Sequence, residues 1–367
     1  MTKPARTLLV LALGAAAWAA AERTRVSGAQ RAAPGATRQA LDIYFVDVEG
    51  GQATLIVTPA GQSVLVDSGF PGGSGGFDGV PGDPAKARDA NRILAAARDA
   101  GLTAIDYLVV THFHADHDGG IPELSQLLPI HTFVDHDRPL PSVESVAGSV
   151  AAFDRYAEVR AKGRHIVASP GDTLPLKDVA LTFVASAGAT IDTPLAGANG
   201  RATASCPSSG LEAQEKNENP RSTGFVLQFG RFRFLDVGDL SGAPLFALAC
   251  PRNLIGPVDA YLVAHHGGVD ASQPATFAAF RPRVAILNNG AAKGGAPETF
   301  AALRGAPDID VWQLHRSESA GTQNFPDDRI ANLDETTAYW LKLRVNQDGS
   351  FALTNARTGG GKTYTAR

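Results

Sequence analysis

The chain has 367 residues, of which 44% are apolar and 19% charged, with a formal net charge of −4 at pH 7. This length and apolar content suffice to bury one large core, and the mildly acidic balance excludes a broadly basic nucleic-acid surface. The two cysteines, Cys206 and Cys250, lack the spacing of metal ligands.

The N-terminus reads as a targeting segment. Lys3 and Arg6 precede an apolar stretch from Leu8 to Ala21, shorter than the ~20 residues that span a bilayer. Small residues at Ala19 and Ala21, or at Ser27 and Ala29, offer cleavage sites. Residues 1–29 are therefore expected to be a signal peptide that exports the protein to a periplasmic or extracellular space, with an uncleaved anchor as the alternative. No other membrane segment is visible, and one domain is expected over residues 40–357.

Leu41 to Val48 and Thr54 to Thr58 read as strands joined by the Glu49-Gly50-Gly51 turn. A Gly/Pro-rich loop from Pro71 to Pro84 precedes a helix predicted over Ala85 to Ala100 and closed by Gly101. The β-branched run Asp106 to Val110 is a strand that empties into Thr111-His112-Phe113-His114-Ala115-Asp116-His117-Asp118-Gly119-Gly120. Ile121 to Leu128 follows as a helix with Pro122 in its first turn, then a strand over Ile130 to Val134. The alternation of strand and helix through Arg160 is α/β organisation. Ser186 to Arg221 is long, polar and aperiodic, either a substrate-selecting lid or a plain surface insertion.

A helix is predicted at Ala243 to Ala249. Another strand lies within Pro282 to Gly290, and a helix over Pro297 to Leu303. The chain closes on a hairpin, Trp340 to Val345 and Phe351 to Thr354, with Asp348-Gly349 at its turn. Gly359-Gly360-Gly361-Lys362-Thr363 mimics a phosphate loop, but Ala356 stands where the first Gly is required and no helix follows. Cys206 and Cys250 are either a disulfide or two free thiols, the first being what an exported protein forms.

The chemistry concentrates after Val110. His112 and His114 occupy alternate positions of extended chain and project to the same side, while Asp116 and His117 follow on the turn. Neutral imidazole with carboxylate suits zinc and, less selectively, manganese or iron. Two adjacent donor pairs point to two divalent ions.

The segment His112-Phe113-His114-Ala115-Asp116-His117 resembles the His-x-His-x-Asp-His signature of the metallo-β-lactamase superfamily. Ser63-Val64-Leu65-Val66-Asp67-Ser68-Gly69 is similar to that family's first motif. Phe232 to Asp239 resembles its Gly-Asp strand, and Val258 to Gly268 its His-His-Gly segment. The resemblance implies an α/β fold of the αβ/βα four-layer sandwich type. It implies metal ligation by His112, His114, Asp116, His117, Asp239 and His266, with Asp239 shared by both ions and Asp67 supporting the site from behind. His265 is assigned to contact or protonate substrate beside Asp116, although the roles of His265 and His266 could be exchanged.

Asn219 to Gly230, Gly238-Asp239 and His265-His266-Gly267 resemble the ComEC-like branch, where an extra His used by lactamases is commonly absent; no Gly-His-Thr or Cys-Gly-His segment lies between His117 and Asp239. His136 is left as a candidate at the mouth of the site, and Arg138, Lys216 and Arg221 as a local cationic patch for one phosphate. The implied activity is hydrolysis by a metal-bridging hydroxide, first of a phosphoester or phosphodiester. The alternatives are β-lactam or lactone hydrolysis, and a metal-stabilised binding protein without turnover.

Overall fold

The computed structural model describes residues 39–77, 79–140, 149–198, 200–203, 206, 217–271 and 273–367. The expected signal peptide at 1–29 and Lys216 lie outside the described residues. Among these, no helix is long and apolar enough to cross a membrane.

The first sheet contains β1 (Ala40–Phe45), β2 (Thr54–Val57), β3 (Ser63–Val66), β4 (Ile105–Val109), β5 (Ile130–Asp135) and β6 (Arg164–Val167). The second sheet is built from β7 (Thr173–Leu174), β8 (Ala180–Ser186), β9 (Ala189–Thr190), β10 (Gly224–Phe229), β11 (Phe232–Asp236), β12 (Ala260–Leu262), β13 (Val284–Leu287), β14 (Asp310–His315) and β15 (Ile330–Asn332). The chain then returns to the first sheet with β16 (Leu341–Asn346), β17 (Ser350–Asn355) and β18 (Gly361–Thr365). The strand orders are β18-β17-β16-β1-β2-β3-β4-β5-β6 and β15-β14-β13-β12-β11-β10-β8-β7, with β9 paired to β8.

Period-two alternation explains why the sheets stack. Leu41, Ile43 and Phe45 of β1 face Phe225, Phe232 and Phe234 of the second sheet in one buried cluster. Phe45 and Phe234 meet edge to face at 5.8 Å. The intervening Tyr44 turns outward to the cluster that holds Ile93, Leu94 and Ala97. These belong to α1 (Arg88–Asp99), and Ile121 and Leu124 of α2 (Ile121–Leu127) and Tyr156 of α3 (Ser149–Arg160) join them. On the far face of the second sheet, Leu235, Tyr261 and Ala285 pack with Leu245 of α4 (Gly242–Ala247), Phe277 of α5 (Pro274–Phe280) and Phe300 of α6 (Pro297–Arg304). Helices therefore cover both outer faces of a two-sheet core, which is the four-layer αβ/βα sandwich; strands buried on both faces lose polar alternation, as in all of β1 and β3.

Several boundaries differ from the sequence reading. The predicted helix from Ala85 begins at Arg88, because Pro84–Lys86 forms a separate single turn capped by the Asp83 side chain. The terminal hairpin gains a third strand: Gly361–Thr365 pairs antiparallel with β17, so the sheet runs past the expected domain end at residue 357. Cys206 and Cys250 form a disulfide, tying the long 186–221 segment to the end of α4.

Candidate metal centre

Parallel pairing decides where the site forms. β3, β4, β5 and β6 run parallel in the first sheet, and β11 to β15 in the second. Side chains in loops beyond the carboxyl ends of parallel strands therefore collect along one edge of each sheet. Asp67 follows β3, His112 to His117 follow β4, Asp239 follows β11, and His265-His266 follow β12. Asp67, His265 and His266 hold positive φ of 60°, 49° and 53°. Such backbone costs about 1–3 kcal/mol per residue and persists where surrounding contacts impose it.

Asp116, His117, Asp239 and His266 converge so closely that one ligand atom from each lies within 4.8 Å of the others. Oδ2 of Asp239 is the hub: it is 3.2 Å from His117 Nε2, 3.2 Å from His266 Nε2, 3.7 Å from His265 Nε2 and 3.8 Å from His112 Nε2. His112 and His114 stand beside it, Nε2 to Nδ1, at 2.9 Å. The six residues are thus brought together as a fourfold nest and an adjoining histidine pair.

The donor set fits divalent ions. Asp116 Oδ1, Asp239 Oδ1, and the Nε2 atoms of His114, His117 and His266 are buried with no hydrogen-bond partner among the described residues. Each orphaned polar atom costs about 1–3 kcal/mol, a cost that coordination removes. Burial, reinforced by His117 and His114, holds His112 well below the usual imidazole range, and burial lowers His114 to about 4. Both rings are thereby kept neutral, the form that ligates. Burial pushes the Asp239 carboxyl up, but His117, His266 and His265 outweigh it and hold the group ionised.

Asp67 stands directly behind the nest. Its Oδ2 accepts from His117 Nδ1 at 2.7 Å and from the Thr111 hydroxyl at 2.7 Å, while Oδ1 accepts from the Thr111 amide at 2.8 Å. This contact fixes a proton on His117 Nδ1, so that Nε2, which faces Asp116 and Asp239, is the nitrogen an ion would take. His265 is held through its other nitrogen, with Nδ1 donating to Asp270 at 2.7 Å. Its Nε2 lies 3.2 Å from Asn219 Nδ2.

His136 is corrected by the structure. It is buried, its Nε2 is 2.9 Å from Glu218 Oε2, and its ring lies on Phe113 at 4.4 Å. An internal partner occupies it in place of a substrate, because Glu218 from the long segment reaches the end of β5. Arg221 is used similarly, donating to the Ala187 and Arg138 carbonyls at 3.3 Å each. Arg138 itself is largely exposed.

Sequence reasoning missed Lys293, Asp270 and Glu218. Lys293 pairs with Asp116 Oδ2 from a loop after β13. Asp270 lies five residues past His265, a local signal that was available. A second group, Asp47, Glu49 and His315, is also tight enough to hold an ion. Arg92 already pairs with both of its carboxylates, at 2.9 and 3.1 Å, and His315 with Asp47 at 2.8 Å, so its charges are balanced internally.

Residues 46–193 match the family model described as the metallo-beta-lactamase superfamily. That segment, which includes Asp67 and His112 to His117, is similar to this superfamily over less than half of the chain. Among solved structures, the metallo-beta-lactamase fold protein YhfI from Bacillus subtilis is 10% identical, covering 74% of this chain and 96% of its own, with a TM-score of 0.41. MEM-A1, a subclass B3 metallo-beta-lactamase isolated from a soil metagenome library, is 14% identical over 67% of this chain and 86% of its own, at 0.36. The Cronobacter sakazakii metallo-beta-lactamase with the HARLDQ motif is 16% identical over 54% of this chain at 0.31, and the match spans 60% of that protein's length. No curated relative matches the chain.

Proposed function

We propose that the protein is an exported, metal-dependent hydrolase of phosphoesters or phosphodiesters. The carrying observation is the hub at Asp239 Oδ2, within 3.2 to 3.8 Å of His117, His266 and His112. One carboxylate so placed reaches both the fourfold nest and the histidine pair, as a ligand shared between two ions would. Asp116, His117, Asp239 and His266 would hold one ion, and His112, His114 and Asp239 the other, with zinc first and manganese or iron as alternatives. When bound, such ions supply a nucleophilic water at neutral pH and a Lewis acid for the substrate's oxygen.

The phosphoester reading is supported by the resemblance of Asn219 to Gly230, Gly238-Asp239 and His265-His266-Gly267 to the ComEC-like branch. The chain's own groups handle the proton. His265, with Nδ1 anchored on Asp270, presents Nε2 beside Asp239 and is partly open to solvent. Burial lowers its pKa, but Asp239 and Asp270 overcome this and raise it, which favours a ring able to donate from Nε2 to a leaving oxygen. Export is supported by the Lys3, Arg6 and Leu8 to Ala21 pattern and by the Cys206–Cys250 disulfide, a bond that persists in oxidising compartments.

The test is turnover of bis(4-nitrophenyl) phosphate against a cephalosporin by purified protein loaded with Zn²⁺ or Mn²⁺, with bound metal quantified. Phosphodiester cleavage that is lost in Asp116→Ala supports the reading. Cephalosporin cleavage alone overturns the substrate class, and two bound ions without turnover of either substrate overturns the proposed chemistry.

A further inference from the structure

We propose that Lys293, with Phe70 and Phe77 beneath it, forms a substrate subsite that receives an anionic oxygen on the ammonium and an apolar substituent on the exposed ring. The inference rests on the hydrolase reading and names the kind of ester the site selects: an anionic one bearing an apolar or aromatic group.

The loop that carries Lys293 is built to deliver it. Gly290 N donates to the Lys293 carbonyl at 2.8 Å, closing a turn, and Gly295 N donates to the His266 carbonyl at 2.8 Å. The approach is so close that side chains are excluded on both flanks. A Cβ on Gly50 would sit 2.9 Å from the Lys293 Cβ, and one on Gly294 would sit 2.4 Å from the His266 carbonyl oxygen. Both glycines also hold positive φ, 85° and 74°, which L side chains rarely adopt. The loop is thus wedged between the β1–β2 turn and the His266 turn, and its lysine is fixed by backbone packing.

The ammonium lies against the Asp116 Oδ2 atom that is itself 3.2 Å from His117 Nε2 and 3.3 Å from His266 Nε2. It also donates to the Gly50 carbonyl at 2.5 Å. Two of its three hydrogens are engaged among the described residues, and the side chain retains 30% exposure, so one donor is left for a ligand. On its other side the ammonium stands 5.7 Å from the Phe70 ring centroid and 5.6 Å from that of Phe77. The two rings pack edge to face at 5.2 Å, Phe70 buried and Phe77 38% exposed. A large apolar ring left open beside a held cation, one residue contact from the metal nest, is the arrangement that binds an organic anion. The competing role is that Lys293 only balances Asp116.

Calorimetric binding of phenylphosphonate and inorganic phosphate to the metal-loaded protein separates the two, with metal content and melting temperature measured in parallel. Lys293→Met is expected to weaken phenylphosphonate at least about tenfold, the loss of one charged hydrogen bond, while metal content stays unchanged. Lys293→Arg is expected to recover most of the affinity. Phe77→Ala, at an exposed position that the fold tolerates, is expected to weaken phenylphosphonate but not inorganic phosphate. Loss of metal in Lys293→Met, unchanged affinity in that variant, or equal effects of Phe77→Ala on both anions would each overturn the subsite. Binding that follows the expected pattern without turnover of any phosphoester keeps the subsite and removes the hydrolase reading. Turnover of bis(4-nitrophenyl) phosphate with unaltered binding in Lys293→Met does the reverse.

Discussion

Replacing Asp67 by Asn tests whether a residue that touches no metal sets the affinity of the centre. The variant keeps the shape of the side chain, and Asn tolerates the left-handed backbone that Asp67 adopts at φ 60°. The amide oxygen can still accept from the Thr111 amide, now at 2.8 Å. What changes is the atom facing His117 Nδ1 at 2.7 Å, where an NH₂ replaces a carboxylate oxygen. Two N–H groups cannot share that contact, so His117 moves its proton to Nε2 or turns its ring away. Either response removes the lone pair that faces Asp116 and Asp239. Loss of such an orienting partner lowers metal affinity by about 10–100-fold, or about 1.4–2.8 kcal/mol. Competition against a chromophoric chelator measures this directly, ion by ion. The fourfold nest should weaken, and the ion at His112 and His114 should be less affected. Wild-type affinity at both ions in a folded Asp67→Asn protein would refute the tautomer argument.

Asp239→Ala removes the hub carboxylate, and metal analysis after dialysis should show both ions lost; two tightly retained ions would count against sharing. Asp135 is buried at the end of β5 and accepts from Arg160 at 2.8 Å and His165 at 2.8 Å. Burial raises its pKa, but His165, Tyr156 and Arg160 more than offset this and the net shift is downward. Its ionised form therefore stabilises the fold at pH above the unfolded value of about 3.9, and that stability fades as the pH falls through the lower folded value. Asp135→Asn should cost about 3–5 kcal/mol near neutrality, and chemical denaturation of both proteins should show the gap narrowing below about pH 4. A gap that is constant with pH would mean that the loss is one of packing. Reduction of the Cys206–Cys250 bond, which closes a separation of 44 residues, should lower stability by about 2–4 kcal/mol, read as a denaturant midpoint that shifts with and without reductant.

The legible parts of this protein are those whose chemistry is local in sequence. His112, His114, Asp116 and His117 announce themselves because a β-branched strand delivers them within six residues, and strand geometry fixes which way alternate side chains point. Asp239 and His266 were legible only through resemblance, since a Gly-Asp or His-His pair alone specifies no partner. Lys293 carried no signal at all: it meets Asp116 across 177 positions, and what positions it is the absence of side chains at Gly50 on the β1–β2 turn and at Gly294 on its own loop. His136 shows the converse. Its place after β5 is a site-facing position, yet Glu218 reaches it across 82 positions and buries it, an event that no pattern around His136 encodes. β18 was passed over because its glycines and exposed lysine obscure the period of two, and only pairing with β17 makes it a strand. Lys293 and His136 are thus each placed by a long-range contact that local sequence does not encode, and β18 by its ladder with β17. The surroundings of such a centre are therefore set by the glycines that admit Lys293 beside Asp116 as well as by the histidines that identify it.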